Sequence, residues 1–355
     1  MPRFRYAKIS TSAAVAAILL GACSASKVSQ GAAPTSSAAA STTSTSTGVS
    51  APSAPASSVK VTIAGGDYLG GAPAYIASAK SMWASNGLQA HVANFATGVL
   101  ALNALLGGQA NFAFVADLPI ATALLSKRSL VIDANLSKFS QWLLLTTKSS
   151  GITSFASLKG KKVGVPVGTN AEYVLDQMLV SVGLSLSSIT VVNLAPAQIV
   201  PAIQRGDIAA GVTFPTFYTA AQTILGNSYQ ELTYSGYAEH TVLLSAPGTP
   251  AGTVERVLRT LISADSYIAS NPTAAASAIA GQSGGADSVS FVSSYLPKYA
   301  QKVDLLSGLP ALLVAEGQWL NSTQGVGGSL SQTTIVMAMD STALSAVDAS
   351  RVSLP

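Results

Sequence analysis

Lys161-Lys162-Val163-Gly164-Val165-Pro166-Val167-Gly168-Thr169-Asn170 joins a short β-rich run to a helix start. Lys161 to Val165 predicts a strand, and Gly168-Thr169-Asn170 opens a helix that runs through Leu179 and stops at Gly183. Working outward, Ile189 to Asn193 reads as a strand and Pro196 to Arg205 as a helix ended by Gly206. Ala209 to Phe214 is the next strand, and Pro215 starts another helix. Upstream the same rhythm appears. Val59 to Ile63 alternates like a strand, and a helix with Pro73 near its start continues to Trp83 and stops at Asn86-Gly87. Gln89 to Phe95 and Asn111 to Val115 are strands flanking a helix from Val99 to Leu106. Asp117 then caps a helix with Pro119 in its first turn, and Val131 to Leu136 and Trp142 to Thr146 are further strands. From Thr249 onward the pattern is mostly helical. This alternation predicts an α/β fold with parallel strands.

The rhythm is written twice. Gly87-Leu88, Asn94-Phe95 and Gly108 to Ala113 recur as Gly183-Leu184, Asn193-Leu194 and Gly206 to Gly211. The alignment sets Asp117 opposite Pro215. It reads either as true duplication or as two uses of a common helix-Gly-strand unit. Both readings predict two similar α/β lobes. In open α/β sheets ligands bind beyond the carboxyl ends of the strands, so two facing ends make a cleft.

The N-terminus carries a different message. Arg3, Arg5 and Lys8 precede an apolar run from Ala13 to Leu20, then Leu20-Gly21-Ala22-Cys23. A charged start, a short apolar stretch and small residues before a cut site make a secretory signal over residues 1–22. The apolar run is too short to span a bilayer. Leu-Gly-Ala-Cys resembles the lipobox of bacterial lipoproteins, which implies acylation of Cys23 and a lipid anchor in the cell membrane. Residues 23–58 are mostly Ser, Thr, Ala, Gly and Pro. They read as a disordered tether, because they bury too little surface to offset their ordering entropy.

Of the net charge of +4, three charges are carried by the leader. Without residues 1–22 the chain has 16 cations against 15 anions, and residues 61–355 have 14 against 15. No basic stripe marks a nucleic-acid partner. With no cysteine after Cys23, disulfides, thiol nucleophiles and thiolate metal sites are excluded from the body. His91 and His240 are too far apart for a local metal motif, and no cofactor or metal is expected.

Residues 61–320 resemble the extracytoplasmic binding proteins of nitrate/sulfonate/taurine-type ABC importers. The matching pieces are Pro73 to Ala77, Asn86-Gly87-Leu88, Thr97-Gly98, Leu105 to Gln109, and Asn111 to Ala113 with Asp117-Leu118-Pro119. To these add Gly151-Ile152, Ser157 to Val165, Gly168-Thr169 with Glu172-Tyr173, Val192 to Leu194, and Ala202 to Ala210. The resemblance implies a type II periplasmic-binding-protein fold, with two α/β lobes joined by two hinge crossings. One lobe is expected over 59–146 plus 241–355 and the other over 147–240. The hinges are expected at Gln141 to Lys148 and at His240 to Ala246.

It further implies solute capture between closing lobes for ABC permease subunits in the membrane. The ligand class is a small anion or zwitterion: an alkanesulfonate, taurine or nitrate. Two other functions use this fold: an enzyme of the pyrimidine-synthase or sulfinate-hydrolase kind, and a tethered ligand sensor. Strand-to-helix junctions, where free N–H groups and helix dipoles favour an anion, supply the candidate ligand residues. They are Gly66, Asp67, Tyr68, Thr97, Gly98 and Asp117 in the first lobe, and Gly168, Thr169, Asn170 and Phe214 in the second. Gln141 and His240 join them from the expected hinges. Asp117 reads either as a helix N-cap or as the partner of a ligand amine. Thr169 reads as a cap, an oxyanion donor or both. Gly65-Gly66 and Gly70-Gly71 read either as ligand approach points or as turn glycines.

Overall fold

A computed structural model describes residues 58–66, 69–282 and 287–354. The signal over residues 1–22, Cys23, all but the last residue of the tether, and the ligand candidates Asp67 and Tyr68 lie outside the described residues. Among the described residues twelve strands run in chain order: β1 (Val59–Gly66), β2 (Leu88–Phe95), β3 (Phe112–Ala116), β4 (Val131–Phe139), β5 (Trp142–Thr147) and β6 (Lys162–Val165). They continue with β7 (Thr190–Asn193), β8 (Ala210–Val212), β9 (Tyr229–Tyr234), β10 (Glu239–Ser245), β11 (Tyr299–Leu306) and β12 (Val352–Ser353).

They form two sheets, ordered β12-β11-β4-β10-β3-β1-β2 and β7-β6-β8-β5-β9. In the first, β1 pairs parallel with both β2 and β3, and β10 is antiparallel to β3 and β4. In the second, β6 pairs parallel with β7 and β8, and β5 is antiparallel to β8 and β9. The two sheets therefore repeat one plan: a parallel triplet, then two antiparallel strands. This matches the internal repeat of the sequence. The aligned glycine pairs share backbone geometry too. Gly87 and Gly183 have φ of 67° and 73°, and Gly108 and Gly206 have 72° and 76°. Each aligned position thus uses the left-handed region that glycine enters without steric penalty, at the end of a helix before a strand.

Strand pairing shifts the expected crossings. β5 lies wholly in the smaller sheet, so the chain enters it at Ser140–Gln141, earlier than the span Gln141 to Lys148. β10 lies wholly in the larger sheet, so the return runs through Ser235–Ala238, before His240 to Ala246. Both strands are largely buried around apolar centres, Leu143 to Leu145 and Val242 to Leu244, and that pattern carries no mark of which sheet they join. We call each sheet with its helices a lobe. The parallel expectation holds for the two triplets, while β4, β5, β9 and β10 pair antiparallel to their neighbours, and β11 is antiparallel to β4 and parallel to β12.

Two glycines of the first lobe answer to packing. A Cβ on Gly65 would lie 1.8 Å from Phe114 Cζ, and one on Gly71 would lie 2.2 Å from Phe114 Cε2. The fully buried Phe114 ring fills the room that both leave, edge-on to Tyr75 at 5.8 Å between centroids. Tyr75 in turn donates its hydroxyl to the carbonyl of Gly66 at 2.6 Å.

After β10 the chain remains with the larger sheet through the helices Ala251–Ser270, Pro272–Gln282 and Val289–Tyr295, then β11. The helix Gly308–Gln324 packs on the helix Asp117–Leu125 of the same lobe and also reaches the other. Trp319 Nε1 donates to Asp176 Oδ2 at 2.8 Å, and Gln324 Nε2 donates to Glu172 Oε2 at 2.7 Å. Tyr173 meets Trp319 edge-on at 5.1 Å. Three residues on the second-lobe helix Asn170–Val180 are thus fastened to a C-terminal helix of the first lobe.

Candidate functional site

A cavity of about 400 Å³ opens between the lobes. The segment after β2 contributes Ala96, Thr97, Gly98 and Val99, and the end of β3 contributes Ala116 and Pro119. Opposite them stand Thr169 and Asn170 after β6, Ala195 to Ala197 after β7, and Phe214 to Phe217 with Ala220 after β8. All five segments follow the carboxyl ends of parallel strands, where open α/β sheets bind ligands. Glu239 and Tyr299, the first residues of β10 and β11, complete the lining. Both pair with Phe139 at the end of β4, and Tyr299 stacks on the Phe139 ring at 4.5 Å.

Thr97, Gly98, Thr169, Asn170 and Phe214, all marked from the sequence, meet at this cavity. Gly66, Asp117, Gly168, Gln141 and His240 are absent from its lining. Gln141 is exposed at the first crossing. Gly66 is buried beneath the Tyr75 hydroxyl. Gly168 gives its N–H to Glu172 Oε2 at 2.7 Å, so the dipole of that helix start already has a carboxylate partner. Thr169 caps the helix by accepting from the Ala171 N–H, and its hydroxyl donates to the Pro166 carbonyl at 2.7 Å. Its single proton is therefore spent within the protein.

Asp117 does neither job expected of it. Ala116 holds the N-cap position, and Asp117 is the first helical residue, with no exposed surface. Its carboxylate collects a network. Oδ1 accepts from Asn170 Nδ2 and from the Tyr237 hydroxyl, both at 2.5 Å, and from the Leu118 N–H at 3.0 Å. Oδ2 accepts the His240 N–H at 2.8 Å. Asn170 Nδ2 also reaches the Tyr237 oxygen at 2.6 Å, and that oxygen lies 2.9 Å from Glu316 Oε1. Asn170 belongs to the second lobe, Tyr237 to the return crossing, and Asp117 and Glu316 to the first lobe. The cluster is a polar clasp at the root of the cleft.

Its electrostatics follow from burial. Desolvation pushes Asp117 above the usual carboxylate range, against the pull of its hydrogen bonds from Tyr237, His240 and Asn170. Glu316 is held well above that range by burial and then by the Asp117 charge. Tyr237 has one proton. With that proton on Asp117, Glu316 keeps its own to hydrogen-bond the phenol oxygen. His240 is pushed the other way, down to about 4, by burial and by Lys138.

Residues 70–288 match the family model described as NMT1/THI5 like, more than half of the chain. The chain belongs to the NMT1/THI5-like family. A curated relative of this NMT1/THI5-like chain, named a binding protein of Brucella abortus (strain 2308), is 31% identical over 165 residues. That alignment covers 45% of this chain and 49% of the relative, so the chain spans about half the length of the curated relatives it matches.

Among solved structures, the periplasmic aliphatic sulphonate binding protein SsuA from Escherichia coli aligns with a TM-score of 0.68 at 19% identity. It covers 78% of this chain and 91% of that one. The alkanesulfonate-binding protein SsuA from Xanthomonas axonopodis pv. citri, bound to MOPS, also gives 0.68, at 20% identity over 81% and 99% of the two chains. The periplasmic nitrate-binding protein NrtA from Synechocystis PCC 6803 gives 0.65, at 13% identity over 82% and 89%. At these identities the likeness is one of fold: the NMT1/THI5-like chain has the periplasmic-binding-protein architecture that the sequence resemblance implied.

Sequence reasoning missed Glu239 at the cavity of this NMT1/THI5-like protein. A local signal existed. Glu239 is an acid that leads, through His240, into the run Thr241-Val242-Leu243-Leu244. A charge leading into a buried strand has either a partner or a task. It also missed the latch residues Asp176 and Trp319, which are 143 positions apart and share no motif.

Proposed function

We propose that this protein is the solute-capturing component of an ABC importer, extracytoplasmic and lipid-anchored through Cys23. It holds a small anion or zwitterion between two closing lobes and passes it to membrane permease subunits. The observation that carries the reading is the cavity itself. It is walled by strand ends of both sheets, so a ligand inside touches both lobes at once. Such a ligand favours the closed arrangement by its differential affinity for it, and no catalysis is required. The sulfonate- and nitrate-binding proteins of the same fold support the ligand class.

Native mass spectrometry of protein from its source cells should reveal a bound small molecule of this class. Small-angle scattering should then show a smaller radius with that ligand than without it. An unchanged profile at saturation overturns capture by lobe closure. The anchor is tested separately. Cys23→Ser should abolish incorporation of radiolabelled fatty acid, and persistent label on the variant refutes acylation at this residue.

A further inference from the structure

Among the described residues of its lining, the cavity has one titratable carboxyl and no cation. Glu239 is 7% exposed, and the surface left to it lies in a residue that lines the cavity. Its carboxyl takes no hydrogen bond from any described residue, unlike neighbouring Asp117, which takes four. A buried acid without a partner is disfavoured unless something else satisfies it. No Lys, Arg or His is among the described residues of the lining. The second-lobe donors expected to receive an anion are committed elsewhere: the Thr169 hydroxyl to Pro166, and the Asn170 amide to Asp117 and Tyr237. A bare oxyanion would meet a carboxyl here with few free donors to hold it.

We propose that the natural ligand is an organic amine-bearing molecule whose N–H group hydrogen-bonds Glu239, and that simple oxyanions are poor ligands. The inference rests on the solute-binding reading above and narrows it. The rest of the cavity fits such a molecule. Phe214, Phe217 and Pro119 offer apolar contact to its body. The first-turn N–H groups of Gly98 and Val99 have no partner within the nine-residue helix Gly98–Leu106 and suit an acceptor or anionic end. Burial, and then the Asp117 charge, raises the Glu239 carboxyl well above its usual range. An ammonium placed against it supplies the opposite charge that the protein withholds.

The test uses isosteric pairs that differ only in an ammonium exchanged for a methyl. One pair is 3-aminopropanesulfonate and butane-1-sulfonate; the other is 4-(aminomethyl)benzenesulfonate and 4-ethylbenzenesulfonate. Calorimetry on the purified full chain should find the amine of at least one pair bound about tenfold or more tighter, the effect of one charge-assisted hydrogen bond. Glu239→Gln should weaken that amine about tenfold to a hundredfold and leave its methyl counterpart unchanged. Nitrate should give no measurable heat. Methyl members that bind the wild type as tightly as the amines overturn the inference and leave the solute-binding reading intact. Equal weakening of both members by Glu239→Gln also overturns it. Failure of all four compounds to bind overturns the inference together with the ligand class on which it rests. The wild-type comparison needs no variant, so a folding defect in Glu239→Gln leaves the test decisive.

Discussion

Asp117→Ala is expected to lower the melting temperature on the order of 10 °C, whatever ligand is present. The substitution leaves the His240 N–H, the Asn170 amide and the Tyr237 hydroxyl without their acceptor, all in a region closed to solvent. Each buried donor left unsatisfied costs about 1–3 kcal/mol, so three cost about 3–9 kcal/mol. That is a large part of the 5–15 kcal/mol that holds an ordinary domain together. Asp117→Asn keeps one acceptor oxygen but turns an amide toward another donor, and about 1–2 kcal/mol should be lost. Thermal unfolding of both variants, with and without ligand, measures this. An amine-specific loss of affinity in Asp117→Asn, with stability intact, would move Asp117 from the clasp to the ligand.

Stability should fall as pH rises above about 6.5, and Glu316 should account for part of that slope. In the unfolded chain Glu316 releases its proton near 4.5, whereas in the fold its carboxyl stays protonated well above that. Between those two values the folded state binds the extra proton. Each pH unit upward in this window therefore removes up to about 1.4 kcal/mol per group. The contribution is fully present below 4.5 and is lost toward the folded value. His240 has the opposite sign. Its folded value of about 4 lies below the unfolded 6.5, so it destabilises as pH falls through that interval and is silent above it. The range above 6.5 therefore isolates the carboxyls. Glu316→Gln keeps the neutral shape without the ionisable proton. It should flatten the slope and be more stable than wild type at the alkaline end. Urea unfolding across the range decides the matter, and parallel curves for the two proteins would mean that Glu316 carries no extra proton in the fold.

Much of the lobe plan was legible because it is local. Helix exits at Gly87, Gly183 and Gly206, caps at Thr97 and Thr169, and alternating strands such as β2 announce themselves within a few residues. The duplicated parallel triplets were legible for the same reason. Long-range pairing was not. Whether Trp142–Thr147 joins the larger or the smaller sheet depends on strands 60 to 90 residues downstream, and an apolar run fits either neighbour. The cavity was found through its helix starts, since those positions follow strand ends by rule. The roles inside it were harder. Asp117 sits at such a start, yet a residue 120 positions away, Tyr237, determines that its carboxylate faces the clasp. Glu239 carried only the weak signal of an acid leading into a buried strand, and only the fold shows that its neighbours leave its carboxyl unmatched.

The latch between the helices Asn170–Val180 and Gly308–Gln324 uses Glu172, Asp176, Trp319 and Gln324, none of which lines the cavity. The cavity walls use Phe214, Phe217 and Glu239, none of which takes part in the latch. What lines the cavity and what ties the halves together are thus written in separate residues. Substitutions in the walls can reshape the cavity while the contacts of the latch stay untouched. Asn170 is the exception, since it faces the cavity and holds the clasp with the same amide. That side chain joins the wall of the cavity to the joint between the lobes, so a change at Asn170 disturbs both.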